Sequence, residues 1–161
     1  MSRETEWRVG VARFNKLIDQ RTDEVQRGAA LLVAEAVSTG LGRFRLPGTP
    51  VDTGFARSSW RVGVNADPQF GPAKNPSTVK KGERGAGGRF LAWKVPPPDF
   101  GPAVLSVTAA DTVMIATNVP YMPRLEYGHS AQAPQGFVRL TVAAFPRLIK
   151  SVMARLRRSP A

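Results

Sequence analysis

Apolar and polar residues recur with a helical period at both ends of the chain. From about Val11 to Ser38, apolar positions are separated by three, four or seven residues, while charged and amide side chains occupy the opposite face. The apolar positions are Phe14, Leu17, Ile18, Val25, Ala29, Leu32, Val33 and Ala36. This pattern predicts one long amphipathic helix, ended by Gly40 and Gly42, that covers a sheet or another helix. Both signs of charge occur on its polar face, which disfavours a helix lying on a membrane surface.

A second helical pattern runs from about Gly136 to Arg157. Its predicted apolar face consists of Val138, Val142, Phe145, Ile149, Val152 and Leu156. Pro146 lies within this pattern and lacks a backbone N–H, so we expect the helix to kink or to restart there. Arg155, Arg157 and Arg158 lie at the carboxyl end, where their positive charges complement the helix dipole.

Patterns typical of strands lie between the two helices. Alternation of apolar with polar or small residues predicts a short, half-buried strand at 60–64. From Ala103 to Asn118 we expect a hairpin with strands at 105–108 and 113–117. A short helix is predicted from about Pro120 to Gly128, because proline is tolerated in a first helical turn and glycine commonly ends a helix.

The composition changes between residues 66 and 102, where prolines and glycines accumulate. KKGERGAGGR occupies 80–89 and VPPPDFGP occupies 95–102, so the segment is predicted to be a long loop or extended arm in which 89–95 could add a brief strand. The whole pattern predicts one α+β domain spanning 1–161. It would contain a small antiparallel sheet of three to four strands, packed by long N-terminal and C-terminal helices.

The composition limits the chemistry that the chain can perform. With 161 residues, 42% of them hydrophobic, it can bury an ordinary core. It has no cysteine, and His129 is its one histidine, which disfavours disulfides, thiol catalysis and a zinc site. We therefore predict no cofactor and no bound metal. No apolar run approaches the ~20 residues that a membrane helix needs, so no membrane partner is expected.

The formal net charge of +11 raises the hypothesis of a nucleic-acid-binding protein. Lys80, Lys81, Arg84 and Arg89, all in the predicted arm, are candidates for contact with DNA phosphates or with an acidic partner. Such phosphate contacts would be independent of base sequence. The neighbouring GERGAGGR lacks the Gly-Lys-Ser/Thr ending of a phosphate-binding P-loop.

The tripeptide Asp52-Thr53-Gly54 is the one that carries the catalytic carboxylate of pepsin-type and retroviral-type aspartic proteases. A protease of that kind needs two carboxylates sharing a proton, and the chain has one such tripeptide, preceded by prolines that interrupt a strand. We instead predict that the Asp52 carboxylate accepts backbone N–H groups and caps a helical turn. A serine triad of Ser58 or Ser130 with His129 and Asp52 lacks a nucleophile elbow, so no enzyme is expected.

Two segments together resemble a known family. PVDTGFARSSWRV spans 50–62, and NVPYMPRLEYGHSAQAPQGFVRLTVAAF spans 118–145. Their content and order resemble the tail-completion and head–tail joining proteins of long-tailed bacteriophages, the family of the lambda-type minor tail protein Z. The matching positions are Asp52, Thr53, Gly54, Arg57, Trp60, Asn118, Tyr121, Leu125, Glu126, Tyr127, Gly128, His129, Gly136, Val138 and Arg139. The arm at 66–104 lies outside the resemblance.

The resemblance implies a structural role in the virion, at the junction of tail and neck, after assembly in the host cytoplasm. Implied partners are further copies of the chain in a ring expected to have six members, a tail-terminator or tail-tube protein, head–tail connector proteins, and DNA passing through the lumen. Tail terminator and neck connector are the alternatives within phage. Arg57, Arg124 and Arg139 could pair with Asp52 or Glu126 either within one subunit or between subunits, and the sequence leaves both arrangements open.

Overall fold

The computed structural model describes residues 3–52, 54–70 and 96–159, with side chains from residue 8 onward. Five helices and two strands lie in these ranges. In chain order they are α1 (Arg3–Ser38), α2 (Phe55–Ser58), β1 (Arg61–Val64), α3 (Gly101–Val104), β2 (Val113–Ala116), α4 (Met122–Glu126) and α5 (Val138–Arg158). A 3₁₀ turn at Gly42–Phe44 follows α1. The prediction of a mixed helix and strand protein with long helices at both ends is confirmed.

The first helix packs on two sides and thereby joins the two main parts of the core. One face lies against α5, in a cluster of Leu32, Ala36, Leu46, Ala144, Leu148 and Val152. Another face lies against the strands and short helices, in a cluster of Ala34, Val37, Ala56, Trp60, Phe100, Val119, Met122, Ala133 and Phe137. The helix ends at Ser38 as predicted but begins at Arg3 rather than at about Val11. Gly40, which follows it, adopts a left-handed conformation with φ of 79°.

The two strands β1 and β2 form an antiparallel pair. The register places Arg61 opposite Ala116 and Val64 opposite Val113. At the end of the pair, Asn65 donates from Nδ2 to Asp111 Oδ1 at 2.6 Å and accepts the Thr112 N–H at 2.9 Å. The described residues thus contain a sheet of two strands, where three to four were expected.

The predicted strand at 105–108 is wrong, and with it the predicted hairpin. These residues follow α3, which begins at Gly101 and has Pro102 in its first turn. Val104 and Val107 are both buried beside Ala30, whereas Leu105 is 71% exposed. A spacing of three between buried residues fits a helical turn rather than a strand, in which Leu105 and Val107 would share a face. The real partner of β2 is therefore β1, which lies far from it in sequence.

The C-terminal helix was predicted correctly in extent, but its buried face coincides only in part with the predicted one. It runs without interruption from Val138 to Arg158, so the restart expected at Pro146 does not occur. Its buried residues are Thr141, Ala144, Leu148 and Val152, whereas Val142 and Phe145 of the predicted apolar face are exposed. The reason is close packing against α1, where a methyl group added to Gly28 would lie 2.7 Å from Val152 Cγ1. Small side chains such as Ala144 permit that approach better than Phe145 does.

Part of the predicted arm lies outside the described residues. This applies to 71–95, which includes the brief strand proposed at 89–95 and the basic residues Lys80, Lys81, Arg84 and Arg89. Thr53 of the Asp-Thr-Gly tripeptide is outside them as well.

Candidate functional site

The two segments that carry the family resemblance contact each other in the folded chain. The Val51 N–H donates to Gln132 Oε1 at 2.9 Å, and Gln132 Nε2 donates back to the Val51 carbonyl oxygen at 2.8 Å. The Ser59 and Thr117 hydroxyl oxygens lie 3.1 Å apart. We call this region, residues 50–52, 54–62 and 117–139, the motif corner. Segments more than fifty positions apart thus form one structural unit.

Trp60 is the buried centre of the motif corner. Its ring meets the Phe137 ring edge to face, with centroids 6.4 Å apart. The indole Nε1 donates to Thr49 Oγ1 at 2.8 Å, and the Thr49 hydroxyl donates to the Val37 carbonyl oxygen at 2.6 Å. Since the last carbonyl groups of a helix have no partner within it, this chain of hydrogen bonds also satisfies the end of α1.

Glu126, at the end of α4, caps the beginning of α5. Its Oε2 accepts the N–H groups of Phe137 and Val138 at 2.9 and 2.8 Å, and its Oε1 accepts the N–H of Arg139 at 3.1 Å. The cap residue Phe137 offers no side-chain acceptor of its own. A carboxylate at this position satisfies unpaired donors and interacts favourably with the helix dipole. The carboxylate therefore fixes the angle between the two helices.

Arg139 pairs with Glu126 within the same chain. The Arg139 Nε lies 3.5 Å from Glu126 Oε1, and Nη2 donates to the Glu126 carbonyl oxygen at 3.2 Å. The guanidinium carbon also lies 5.5 Å from the centre of the Tyr127 ring, close enough for a cation–π contact. Of the two arrangements that the sequence left open, the single chain thus shows the contact within a subunit for this pair.

Glycines make the tight connection between α4 and α5 possible. Gly128 has φ of 92° and Gly136 has φ of 80°, conformations that side chains disfavour. A methyl group added to Gly136 would lie 2.6 Å from the Glu126 carbonyl oxygen. Between them, the His129 N–H donates to the Arg124 carbonyl oxygen at 3.2 Å, and its ring Nδ1 lies 3.1 Å from the same oxygen.

Asp52 does not take the position predicted for it. The helical turn α2 exists, but its N-cap residue is Gly54, with φ of 82°. Glycine adopts this left-handed conformation far more easily than aspartate does, which explains why glycine occupies the third position of the tripeptide. Asp52 is exposed. The pKa of Tyr121 is raised mainly by burial of Tyr121 and, to a lesser extent, by the negative charge of Asp52.

Arg57 is buried rather than presented to solvent. Its carbonyl oxygen accepts the Ser38 hydroxyl at 3.0 Å, which joins α2 to the end of α1. Burial lowers the pKa of its guanidinium from the ordinary value. Arg57 therefore belongs to the buried part of the motif corner around Trp60 and Phe137, which we call the framework.

Six exposed motif residues form a rim around this framework. The rim consists of Asp52, Asn118, Tyr121, Tyr127, His129 and Arg139. Sequence reasoning identified these residues but missed Thr49, Gln132 and Phe137, which hold the framework together. No local pattern distinguishes these three, because their partners lie far away in sequence.

Two of the candidate catalytic residues, Ser58 and His129, contact backbone carbonyl groups. The Ser58 hydroxyl donates to the Phe55 carbonyl oxygen at 3.0 Å, while the His129 ring contacts the Arg124 carbonyl oxygen. Within the described residues, no three histidine, cysteine, aspartate or glutamate side chains are grouped so that they could hold a metal ion. The same part of the chain contains no helix with the length and apolar character needed to cross a membrane.

Comparisons with protein-family models, with curated proteins and with solved structures find no match in any of the three. The interpretation of the motif corner therefore depends on its residues and their geometry.

Proposed function

We propose that this chain is a structural virion protein at the tail–neck junction of a long-tailed phage. It completes the tail and enables head–tail joining as a member of an oligomeric ring. The observation that supports this most strongly is the motif corner, in which the two segments resembling tail-completion proteins pack together around Trp60. Within the same phage setting, a tail terminator or neck connector is the alternative role.

The division of the corner into framework and rim suits a docking surface. Protein interfaces are enriched in tyrosine and arginine, and the rim presents Tyr121, Tyr127 and Arg139. Tyr127 is 69% exposed but is held against the Arg139 guanidinium. A surface whose side chains are already positioned loses less conformational entropy on binding, which favours stable assembly. The proposed partners are neighbouring copies, tail-tube or tail-terminator proteins, and connector proteins.

Genetics tests this proposal directly. Genes for portal, capsid and tail-tube proteins should flank the gene for this chain, and its deletion should leave separate heads and tails. Purified protein added to the deletion lysate should restore infectious particles. Unchanged particle yield after deletion, or a genomic setting without virion genes, would contradict the proposal.

A matched pair of variants connects the phenotype to the rim. Tyr127→Ala should reduce the yield of joined particles while the protein remains folded, because the side chain is largely exposed. Leu105→Ala changes an equally exposed residue outside the motif corner and should leave the yield unchanged. Equal yields from the two variants would argue against the rim as the docking surface.

The charge on α5 supports DNA contact as a second candidate function. The helix carries Arg139, Arg147, Lys150, Arg155, Arg157 and Arg158, all exposed, and no acidic residue. Such a surface attracts phosphates irrespective of base sequence. This function is compatible with a phage neck, through which DNA passes.

A further inference from the structure

The N-terminal half of α1 extends beyond the end of α5. The two helices run antiparallel, with Gly28 against Val152 and the Arg21 Nη2 donating to the Ser159 carbonyl oxygen at 3.4 Å. Helix α5 ends at Arg158, so it covers no part of α1 before about Arg21. Residues 8–20 are accordingly all exposed. At ~1.5 Å per residue, the projecting part of α1 from residue 3 to 20 is about 27 Å long.

The projecting segment carries an apolar face, which we call the α1 stripe. It consists of Val11, Phe14, Leu17 and Ile18, of which Phe14 is 62% exposed. Steps of seven residues lead from Val11 through Ile18 and Val25 to Leu32, which is buried against α5. Since residues seven apart lie on nearly the same side of a helix, the stripe is a continuation of the α1–α5 interface. The interface continues along α1 after its partner has ended.

A second exposed apolar face lies on α5, which we call the α5 stripe. It consists of the exposed Val142, Phe145 and Met153 together with the half-buried Ile149, at spacings of three, four and four residues. Val142 is 67% exposed and Phe145 is 46% exposed. This face lies beside the one that α1 covers, so a second helix could pack on α5 next to α1.

The two stripes of one chain cannot meet each other. The α1 stripe lies past the carboxyl end of α5, whereas the α5 stripe covers the part of α5 from Val142 to Met153. Each stripe is apolar and as wide as one helix face. An α1 stripe can therefore find its partner surface, an α5 stripe, only on another copy of the chain. A contact between two different surfaces of identical chains is heterologous, and it closes into a ring when the rotation between copies permits.

We propose that the α1 stripe of one copy packs on the α5 stripe of the next copy and that this contact joins the ring. The inference rests on the proposed function only for the presence of the ring, and it names the surfaces that form it. Burial of apolar surface drives the contact. Because each copy carries a net charge of +11, the copies repel each other, and added salt strengthens the contact by screening this repulsion.

Two uncharged double variants test the contact. One replaces Phe14 and Ile18 by glutamine, and the other replaces Val142 and Phe145 by glutamine, so the net charge stays the same. Each variant alone should be a monomer by size-exclusion chromatography with light scattering. A mixture of the two should form a dimer, because one α1 stripe and one α5 stripe remain intact in each pair. The Leu105→Gln variant, altered at an exposed apolar residue outside both stripes, should keep the mass of the unaltered protein.

The outcomes separate this inference from the proposed function. A mixture that stays monomeric would overturn the heterologous contact, and an oligomer formed by one variant alone would overturn it in favour of pairing between like stripes. Oligomers that persist in both variants would overturn the role of the stripes while leaving head–tail joining to the deletion experiment. An unaltered protein that remains a monomer at low and high salt would overturn self-association through the stripes and assign them to another partner. Circular dichroism would confirm that each variant keeps its helices.

Discussion

At the scale of single residues, the Glu126 carboxylate makes the contacts on which the motif corner depends. It belongs to α4 but accepts three backbone N–H groups, those of Phe137, Val138 and Arg139. We expect Glu126→Gln to lower the free energy of unfolding by about 1–2 kcal/mol, because the charge at the helix start and one acceptor oxygen are lost. Urea denaturation monitored by circular dichroism would measure the change.

A surface glutamate provides the control for that experiment. Glu24 pairs with Arg21 at 3.0 Å, and both side chains are half-exposed. Ion pairs of this kind contribute little, so Glu24→Gln should change the free energy of unfolding by less than about 0.5 kcal/mol. Similar losses in the two variants would contradict a capping role for Glu126.

Two glycines of contrasting environment make a second prediction. Gly136→Ala should destabilise the fold by more than about 1 kcal/mol, since φ is 80° and the new methyl group would meet the Glu126 carbonyl oxygen. Gly10→Ala, where nothing lies within 4 Å, should be neutral or stabilising by up to about 1 kcal/mol. Thermal unfolding should show a lower Tm for Gly136→Ala but not for Gly10→Ala, and a destabilised Gly10→Ala protein would contradict the prediction.

Asp111 gives the fold a dependence on acid. Its pKa is lowered, first by the hydrogen bond from the Asn65 side chain and then by those from the Thr108 N–H and hydroxyl. A carboxyl whose pKa is lower in the folded state stabilises that state above the ordinary value of about 3.9, and the contribution is lost as the pH falls through the folded pKa. The difference in Tm between the unaltered protein and Asp111→Asn should therefore narrow below about pH 4. A difference that stays constant from neutral pH to acid would contradict this assignment.

The residues of the corner show what the sequence could and could not predict at this scale. Trp60, Glu126 and Arg139 stood out because they belong to a recognisable pattern. Their partners Thr49 and Gln132 did not, since a hydrogen bond between distant segments leaves no local signal. The pattern also misled at Asp52, where the left-handed conformation at Gly54 decides which residue occupies the cap.

At the scale of elements, helix α5 shows why periodicity alone does not select the buried face. Two stripes at helical spacing are available, one with Val142 and Phe145 and one with Ala144 and Leu148. A hydrophobicity pattern favours the larger side chains, whereas the contact with α1 favours the smaller ones. Which of the two stripes is buried depends on Gly28 of α1. The sequence pattern of α5 alone carries no information about that residue.

That close contact predicts a coupling between two substitutions. Gly28→Ala should destabilise the fold although alanine favours helices, because the new methyl group would lie 2.7 Å from Val152 Cγ1. In the double variant with Val152→Ala, the smaller side chain makes room for that methyl group. The loss in free energy of unfolding should therefore be smaller in the double variant than the sum of the two single losses. The difference should be roughly 0.5–3 kcal/mol. Additive losses in denaturant unfolding would contradict direct packing at this point.

The short elements were less predictable than the long ones. Helices α1 and α5 each span many turns, so their periodicity is unambiguous, and both were predicted. The stretch at 105–108 offers only a few residues, and alternation there fits a strand as well as a turn. Burial of Val104 and Val107 against Ala30 decides the outcome, and that contact lies far away in sequence.

At the scale of the whole molecule, the net charge and the apolar stripes lead to opposite responses to salt. Retention of DNA on filters should fall steeply as salt rises, with a logarithmic slope of about −0.9 per phosphate contact. Self-association through the stripes should instead strengthen with salt. Absence of DNA retention at low salt would contradict the nucleic-acid candidate without affecting the ring.

The basic end of α5 allows the DNA contact to be located. Arg155→Gln with Arg157→Gln should reduce the magnitude of that slope by up to about 1.8, if both side chains contact phosphates. Their other role, interaction with the helix dipole, would instead appear as a loss of roughly 0.3–1 kcal/mol for each arginine in the free energy of unfolding. The control that removes the same charge is Arg43→Gln with Arg45→Gln, at two exposed positions in and directly after the 3₁₀ turn that follows α1.

The class of the fold followed from the sequence because it depends on local patterns, namely two long helices and a few short strands. The number of strands did not, because strand pairing is decided between distant segments. For the same reason the sequence could name the residues of the motif corner without stating whether Glu126 and Arg139 pair within one chain.

The two ends of α1 differ in their contacts with α5 and the motif corner. Around Val37 the helix is tied through Thr49 and Trp60 to Phe137, whereas residues 8–20 have no neighbour from α5. In the isolated chain, amide protons should therefore exchange with deuterium in a graded order, beginning near Val9. Those near Ala34 should exchange only when the entire chain unfolds. Protection that spreads toward Val9 at high protein concentration would mean that a neighbouring molecule supplies the missing support.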